Sequence, residues 1–298
     1  MVPPADHKKE ERPAFEFDEG SPLVIEGDIF SCLSADKSTS LFLGRYAMTE
    51  VMAVLGKRNF FKDAQKRGLW PLIFDLDCTN YPVQRLRIFH EEKRADKVVV
   101  DLKVREGRLT PKDYLDLDPS FFDFSFLIFE WLTIQDPLHD FSDKHPPLPG
   151  QDHPGLGMGK KLVDLFTYLA RLSRRDGLLA FPAYFHNALL FGRYFAFLSP
   201  EKAAEVEAIH RTFPKIPFKH MAWIVYLNCL KRADGRVYEW RAQEQVYPLN
   251  KAIAAYLDSR EYKTRYKECL KSLSFTIDWP GYERKLDGLI KIKLADKS

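Results

Sequence analysis

Cysteine is scarce in this chain. Cys32, Cys78, Cys229 and Cys269 are spread over 298 residues and no two form a CxxC pair. That spacing argues against a disulfide framework or a structural zinc site and fits reduced thiols in a cytoplasmic protein. Long apolar runs are also missing: the longest, "FLIFEWL", falls far short of the ~20 residues a membrane span needs. The first twenty residues, "MVPPADHKKEERPAFEFDEG", hold no apolar signal core, and neither export nor a membrane is expected. Nor is there an excess of one charge. The 45 basic and 42 acidic residues leave +3, with no basic block. Nucleic acid, which selects a basic patch or stripe, is therefore not an expected partner. Internal repeats and low-complexity segments are absent as well.

What the chain does have is 45% hydrophobic residues against 29% charged ones, with 23 Phe. This is the balance of a globular protein with a ring-rich core, long enough for one large core or two modest ones. Residues 1–20 are expected to be disordered or loosely attached. "PLVIEG" (22–27) is a strand candidate. The four-residue spacing of Leu43, Ala47, Val51 and Leu55 predicts a helix stopped by Gly56, and "RNFFKDAQKRG" a second one ending at Gly68. "LWPLIFDLDCT" alternates Leu72, Phe74 and Leu76 against Ile73, Asp75 and Asp77, "VQRLRIF" is a weaker strand, and "KVVVDLKVREG" alternates Val98, Val100, Leu102 and Val104 with polar residues. "FDFSFLIFEWLTIQDP" is apolar on both faces and should be a central strand covered on both sides.

After a Pro-, Asp- and His-rich loop, Leu162, Leu165, Phe166, Leu169 and Leu172 mark the stripe of a 158–175 helix ended by Gly177. "GLLAFP" reads as a buried strand and "FHNALLFGRYFAFL" as a helix. "SPEKAAEVEAIHRTF" is another helix, with Ser199 as cap and Pro200 in its first turn. "MAWIVYLNCLKRADGRVYEWRAQEQVYPL" reads as a hairpin turning at "ADGR". A helix over 251–273, a strand "SFTI" and a last amphipathic stretch complete the chain. The expected fold class is α/β (α+β): a mixed, largely antiparallel central sheet flanked by helices. Residues 21–249 form the domain, and 250–298 a helical extension packed on it.

The most informative stretch is "GQDHPGLGMGKKLVDLF" (150–166). Gly155, Gly157 and Gly159 alternate just before a helix, and Lys160 and Lys161 fill its first turn. The first amides of a helix have no partner inside it and carry about half a positive charge. Glycine lets an anion approach them closely. Each lysine is unfavourable there by roughly 0.3–1 kcal/mol when exposed, and a bound phosphate reverses that sign. The alternative is a glycine-rich turn with solvated lysines, because no Walker pattern is present. On the first view, Gly157→Val blocks the anion and leaves the fold intact.

The order of elements around this loop resembles the GNAT superfamily of acyl-CoA-dependent N-acyltransferases. There a loop of pattern [RQ]xxGx[GA] opens the central helix, and its amides hold the coenzyme pyrophosphate. "PGLGMG" (154–159) is similar to it, with Gly157 and Gly159 on the small positions, or Gly155 and Gly157 in the other register. The Arg or Gln position is Pro154, or Asp152. "GLLAFP" and "HNALLFGRYFAF" are similar to the family's fifth strand and the helix after it. The resemblance spans residues 22 to 249 and implies acetyl-CoA or another acyl-CoA as co-substrate. Gly155, Leu156, Gly157, Met158, Gly159 and Lys160 would hold it, with Asn187 as a further contact or a helix cap. The acceptor amine, small molecule or protein, is not implied, and a homodimer stays open. The family's tyrosine, which reprotonates the coenzyme thiolate, falls near Phe191 or Gly192. Tyr184 and Tyr194 are out of register, and Tyr194 is the candidate acid.

Acylation of an amine needs a base. Glu130 is a single carboxylate in the row Phe126, Ile128, Glu130, Leu132 and Ile134, on the strand that resembles the family's fourth. Burial there would suit it as a base; the alternative is an ion pair with a neighbouring Arg or Lys. A non-catalytic binding module of the same fold is the second reading. A metal-dependent hydrolase using Asp136, His139, Asp140, Asp143, His145, Asp152 and His153 is the third, although HxH, HxxxH and HExxH spacings are missing and no metal is expected. Asp75 and Asp77 share a strand face that could take a cation or simply be wet, and His186 with Asn187 opens a helix.

Overall fold

The computed structural model describes residues 41–112, 116–142 and 145–295. The 1–20 segment, the 22–27 strand candidate, Cys32 and Asp143 lie outside the described residues. Among the described residues no helix is long and apolar enough to cross a membrane.

The architecture is mixed α/β. Helices α1 (Met48–Lys57) and α2 (Phe60–Lys66) precede four strands, β1 (Leu72–Asp77), β2 (Gln84–His90), β3 (Val98–Arg108) and β4 (Ser125–Ile134). Then follow α3 (Gly159–Leu172), β5 (Gly177–Ala180), α4 (Phe185–Phe191), β6 (Ala196–Phe197), α5 (Pro200–Thr212) and α6 (Phe218–Tyr226). The chain continues through β7 (Leu230–Arg232), β8 (Gln245–Pro248), α7 (Lys251–Asp258), α8 (Arg260–Ser272), β9 (Phe275–Ile277) and α9 (Trp279–Ala295). Among the described residues the main sheet has seven strands in the order β1-β2-β3-β4-β5-β8-β6; β7 and β9 form a second, two-stranded sheet. Every pair in the main sheet is antiparallel except β4 with β5.

β4 is central, and its first half is buried on both sides. Leu127 and Phe129 belong to the cluster under α1 and α3, with Leu102, Val104, Leu162 and Phe166. Phe126 and Ile128 face a second cluster with Leu179, Leu198, Val246 and Ile253. A third gathers Phe185, Ile209, Ile224, Tyr238, Phe275 and Tyr282. Phe275 and Tyr282 are 3% and 5% exposed, so segment 250–298 supplies core side chains.

Several boundaries differ from the sequence pattern. Residues 41–46 make a tight turn, with Leu43 and Gly44 at positive φ, so the first helix begins only at Met48. The α3 helix ends before Arg174, which takes φ 52°, while Gly177 starts β5 and Leu172 is 53% exposed. "MAWIVY" lies in α6 rather than in a hairpin strand; Met221, Ala222, Ile224 and Val225 are its buried side chains. That is helical spacing, which a short continuous apolar run does not separate from a buried strand. The turn at "ADGR" does form, with Gly235 at φ 81° and Tyr238 N donating to Leu230 O, but β8 pairs with β5 and β6. The 251–273 helix is broken at Ser259, whose extended backbone ends α7 and whose Oγ accepts from Tyr262 N to cap α8. The Ser199 cap and Pro200 are as the pattern predicts.

Gly177 sits where the parallel and antiparallel pairings meet. A Cβ there would lie 2.7 Å from the Tyr247 carbonyl oxygen and 3.3 Å from the Phe126 ring. The backbone oxygen is fixed by the sheet, so Gly177→Ala is expected to destabilise by about 1–3 kcal/mol. Thermal unfolding checks this; an unchanged midpoint would mean that the strands can part without cost.

Candidate functional site

Beyond its first four paired residues, β4 loses β5. The parallel register runs from Phe126↔Gly177 to Phe129↔Ala180 and stops. On the other side β4 stays paired with β3 up to Val100↔Ile134. Among the described residues, one edge of β4 from Glu130 to Ile134 therefore has no strand beside it. Pro182, which has no N–H to donate, follows β5 closely.

The fork also contains a β-bulge. Lys103 pairs with Trp131 and Val104 with Phe129, so Glu130 is the extra residue. One inserted residue exchanges the faces of everything beyond it. Phe126 and Ile128 therefore lie on one face, whereas Leu132 and Ile134 pack with the cluster on the other. The expected apolar row around Glu130 does not exist. Glu130 is exposed, and Arg105 Nε donates to its Oε1 at 2.6 Å. The buried base is replaced by an ion pair with the neighbouring strand. Gly107 permits it, since the Arg105 guanidinium occupies the space a Cβ there would need.

The glycine loop closes over the open end of the fork. Gln135 bridges to Gly155, and Asp136 N donates to Pro154 O at 2.7 Å. Leu156 and Met158, 2% and 4% exposed, are anchored in the main cluster. Because they alternate with the glycines, Gly155, Gly157 and Gly159 are turned outward and exposed. Among the described residues nothing lies within 4 Å of a Cβ built on Gly157 or Gly159, and the nearest atom to one on Gly155 is Ile134 O at 3.7 Å. The N-cap residue Met158 makes no side-chain cap. Among the described residues nothing plugs the amide rim, and it is not turned inward. Gly157 has φ 67°, however, so a valine there would strain the backbone as well as block the rim.

The two lysines of the first turn divide. Lys161 pairs with Asp63 of α2, and that hydrogen bond holds the Asp63 carboxyl below its usual range. The misplaced positive charge is thus met within the protein, and only Lys160 is exposed. From the residue after α2, Arg67 Nη2 donates to Leu156 O at 3.0 Å and Nη1 lies 3.7 Å from Asp136 Oδ2. This strap fixes the loop from outside, and no local pattern announces it.

The other candidates separate. Tyr194 is half-buried and packs against the cluster that holds Leu156 and Met158. Asn187 is not a cap: α4 starts at Phe185 with Tyr184 in the N-cap position, and Asn187 N donates to Tyr184 O. Asp136 is buried and pairs with His139 at 3.0 Å, and among the described residues no three His, Cys, Asp or Glu side chains converge on a point. Asp75 pairs with Arg87 and Lys93, and Asp77 accepts from Thr79, so the shared face is a charge ladder.

His186, two residues beyond Tyr184, is 2% exposed, stacks on the Tyr184 ring at 5.3 Å and has no hydrogen-bond partner at Nδ1. Burial pushes its pKa down from 6.5 to about 4. The folded state therefore refuses a proton that the unfolded chain takes up. Stability is expected to fall as pH drops from 6.5 through about 4, by roughly 3 kcal/mol in total. In His186→Phe that part of the acid destabilisation should vanish when unfolding midpoints are followed with pH; parallel profiles for both proteins would contradict it. In comparisons with known proteins, no family model, curated protein or solved structure matches this chain.

Proposed function

We propose that this chain is an acyl-CoA-dependent N-acyltransferase-like protein. The observation that carries the reading is the open amide rim at Gly155–Lys160, set at the mouth of the fork between β4 and β5. A diphosphate would lie on the exposed amides at the head of α3, where the helix end favours negative oxygen. The edge of β4 from Glu130 to Ile134 runs roughly 13 Å and is not paired by any strand among the described residues. The extended, amide-bearing arm of an acyl-CoA suits such an edge, because two amides can pair with it as a short strand would. Its thioester end would then approach Glu130 and Arg105. A GNAT-like assignment is supported by the antiparallel run β1–β4, the glycine loop, α3 and the parallel β5 in that order. A cytoplasmic location goes with this reading, in keeping with the free thiols Cys229 and Cys269.

A second reading, binding without transfer, is favoured by the Arg105–Glu130 ion pair and by Tyr194 packing against the core. Calorimetry with acetyl-CoA, longer acyl-CoAs and the matching acyl-pantetheines tests the shared part. The acyl-CoA should bind at least about tenfold tighter than the acyl-pantetheine, since only the former carries the diphosphate. Gly159→Leu, which adds bulk over the amides in open space, should weaken binding by a similar factor with the unfolding midpoint unchanged. No binding across the panel at high micromolar concentration would remove both readings. Thiol release with an amine panel, lost in Glu130→Gln while binding persists, would select transfer; binding with no release would select the second reading.

A further inference from the structure

A cleft of about 620 Å³ opens between α5, α8 and the segment 237–243 and shares no residue with the glycine rim or the fork. Its volume is that of a small-molecule site. At its closed end Glu205 Oε1 accepts from Lys202 Nζ at 2.6 Å and Tyr238 Oη at 2.7 Å, while Oε2 accepts from Arg232 at 2.7 Å. One carboxylate thus serves two cations. Lys202 is 5% exposed and its ammonium lies 4.1 Å from the Trp240 ring centroid. The buried end carries an excess positive charge, which burial makes unfavourable until an anion arrives. Burial, with Arg232 and Arg241 nearby, holds the Lys202 ammonium below the ordinary lysine range against the pull of Glu205.

The facing wall is an extended segment that sends alternate side chains into the cleft. Tyr238 and Glu244 point into the protein and are fully buried, while Glu239, Arg241 and Gln243 line the cavity. Asp116 and Glu201 share the one guanidinium of Arg265, so that side carries one negative charge in excess, which offsets the positive end across the cleft. Among the described residues Glu239 and Arg241 have no ion-pair or hydrogen-bond partner. Gln243 Oε1 is shut off from solvent and accepts no hydrogen bond. Among the described residues the cleft therefore offers one free cation beside the Lys202 end and one free anion, a separated pair of charges.

We propose that this cleft binds a free amino acid. Its carboxylate sits on Arg241 next to the Lys202 end, and its ammonium group donates to the Glu239 carboxylate. A dianion such as phosphate meets Glu239 and fits less well, and an amine alone leaves the positive end uncompensated. The inference is independent of the acyl-CoA reading.

Calorimetry on the full-length protein with the twenty amino acids tests it, with the decarboxylated amine and the 2-hydroxy acid of each binder and inorganic phosphate as controls. At least one amino acid should bind, and each control should be weaker by about tenfold or more, the loss of a charge-assisted contact. Arg241→Gln and Glu239→Gln change exposed side chains, so unfolding midpoints should hold while affinity falls by a similar factor. Gly159→Leu should bind the amino acid as the unaltered protein does. No binding at millimolar concentration, equal binding of phosphate or of the hydroxy acid, or unchanged affinity in Arg241→Gln would overturn the proposal.

Discussion

β4 is held differently along its two edges. It pairs with β3 over its whole length, but with β5 only through Phe129↔Ala180. The candidate site depends on that asymmetry. It opens one edge of a central strand without exposing the core, because Leu132 and Ile134 still pack beneath. The loop that crosses the opening is tied down by Gln135↔Gly155 and by Leu156 and Met158. The same alternation that buries those two side chains turns the glycine backbone outward. An anchored loop with a bare outer face is the arrangement that lets main-chain amides meet an anion without first being ordered.

Charge around the loop is arranged for the same end. A lysine in the first turn of a helix opposes the helix dipole, and the protein answers one of the two with Asp63. Arg67 is spent on the Leu156 carbonyl and Asp136, so it stiffens the loop. What remains at the rim is the exposed amides and Lys160. At the inner end of the fork, the bulge turns Glu130 out of the strand row toward Arg105. The bulge thus falls where β4 and β5 part and sets which charge stands there.

Much of this could be read from residue order, and the failures share a cause. The inward row Leu72, Phe74 and Leu76 of β1, the alternation in β3, the Ser199–Pro200 helix start and the glycine spacing are local signals that the structure carries, whereas the doubly buried run holds only for the first half of β4. The bulge is not local: Glu130 looks like one more member of an alternating row until its pairing with β3 is known. Arg67 acts on a carbonyl 89 residues away, and β8 enters between β5 and β6 from late in the chain. The apolar run of α6 satisfies a strand and a helix equally. The burial of His186 and the Lys202 cleft escape the sequence for another reason: burial and missing partners give a side chain its character only after the chain has folded.

The central claim is that the amides at the head of α3 form a seat for phosphate oxygen. Following the backbone amide resonances of Gly157, Gly159 and Lys160 by NMR while acyl-CoA, and separately inorganic pyrophosphate, is added addresses it most directly. Saturable shifts concentrated on those amides, with both ligands competing for them, are the predicted result. Unmoved rim amides while the ligand perturbs another part of the protein would contradict the account.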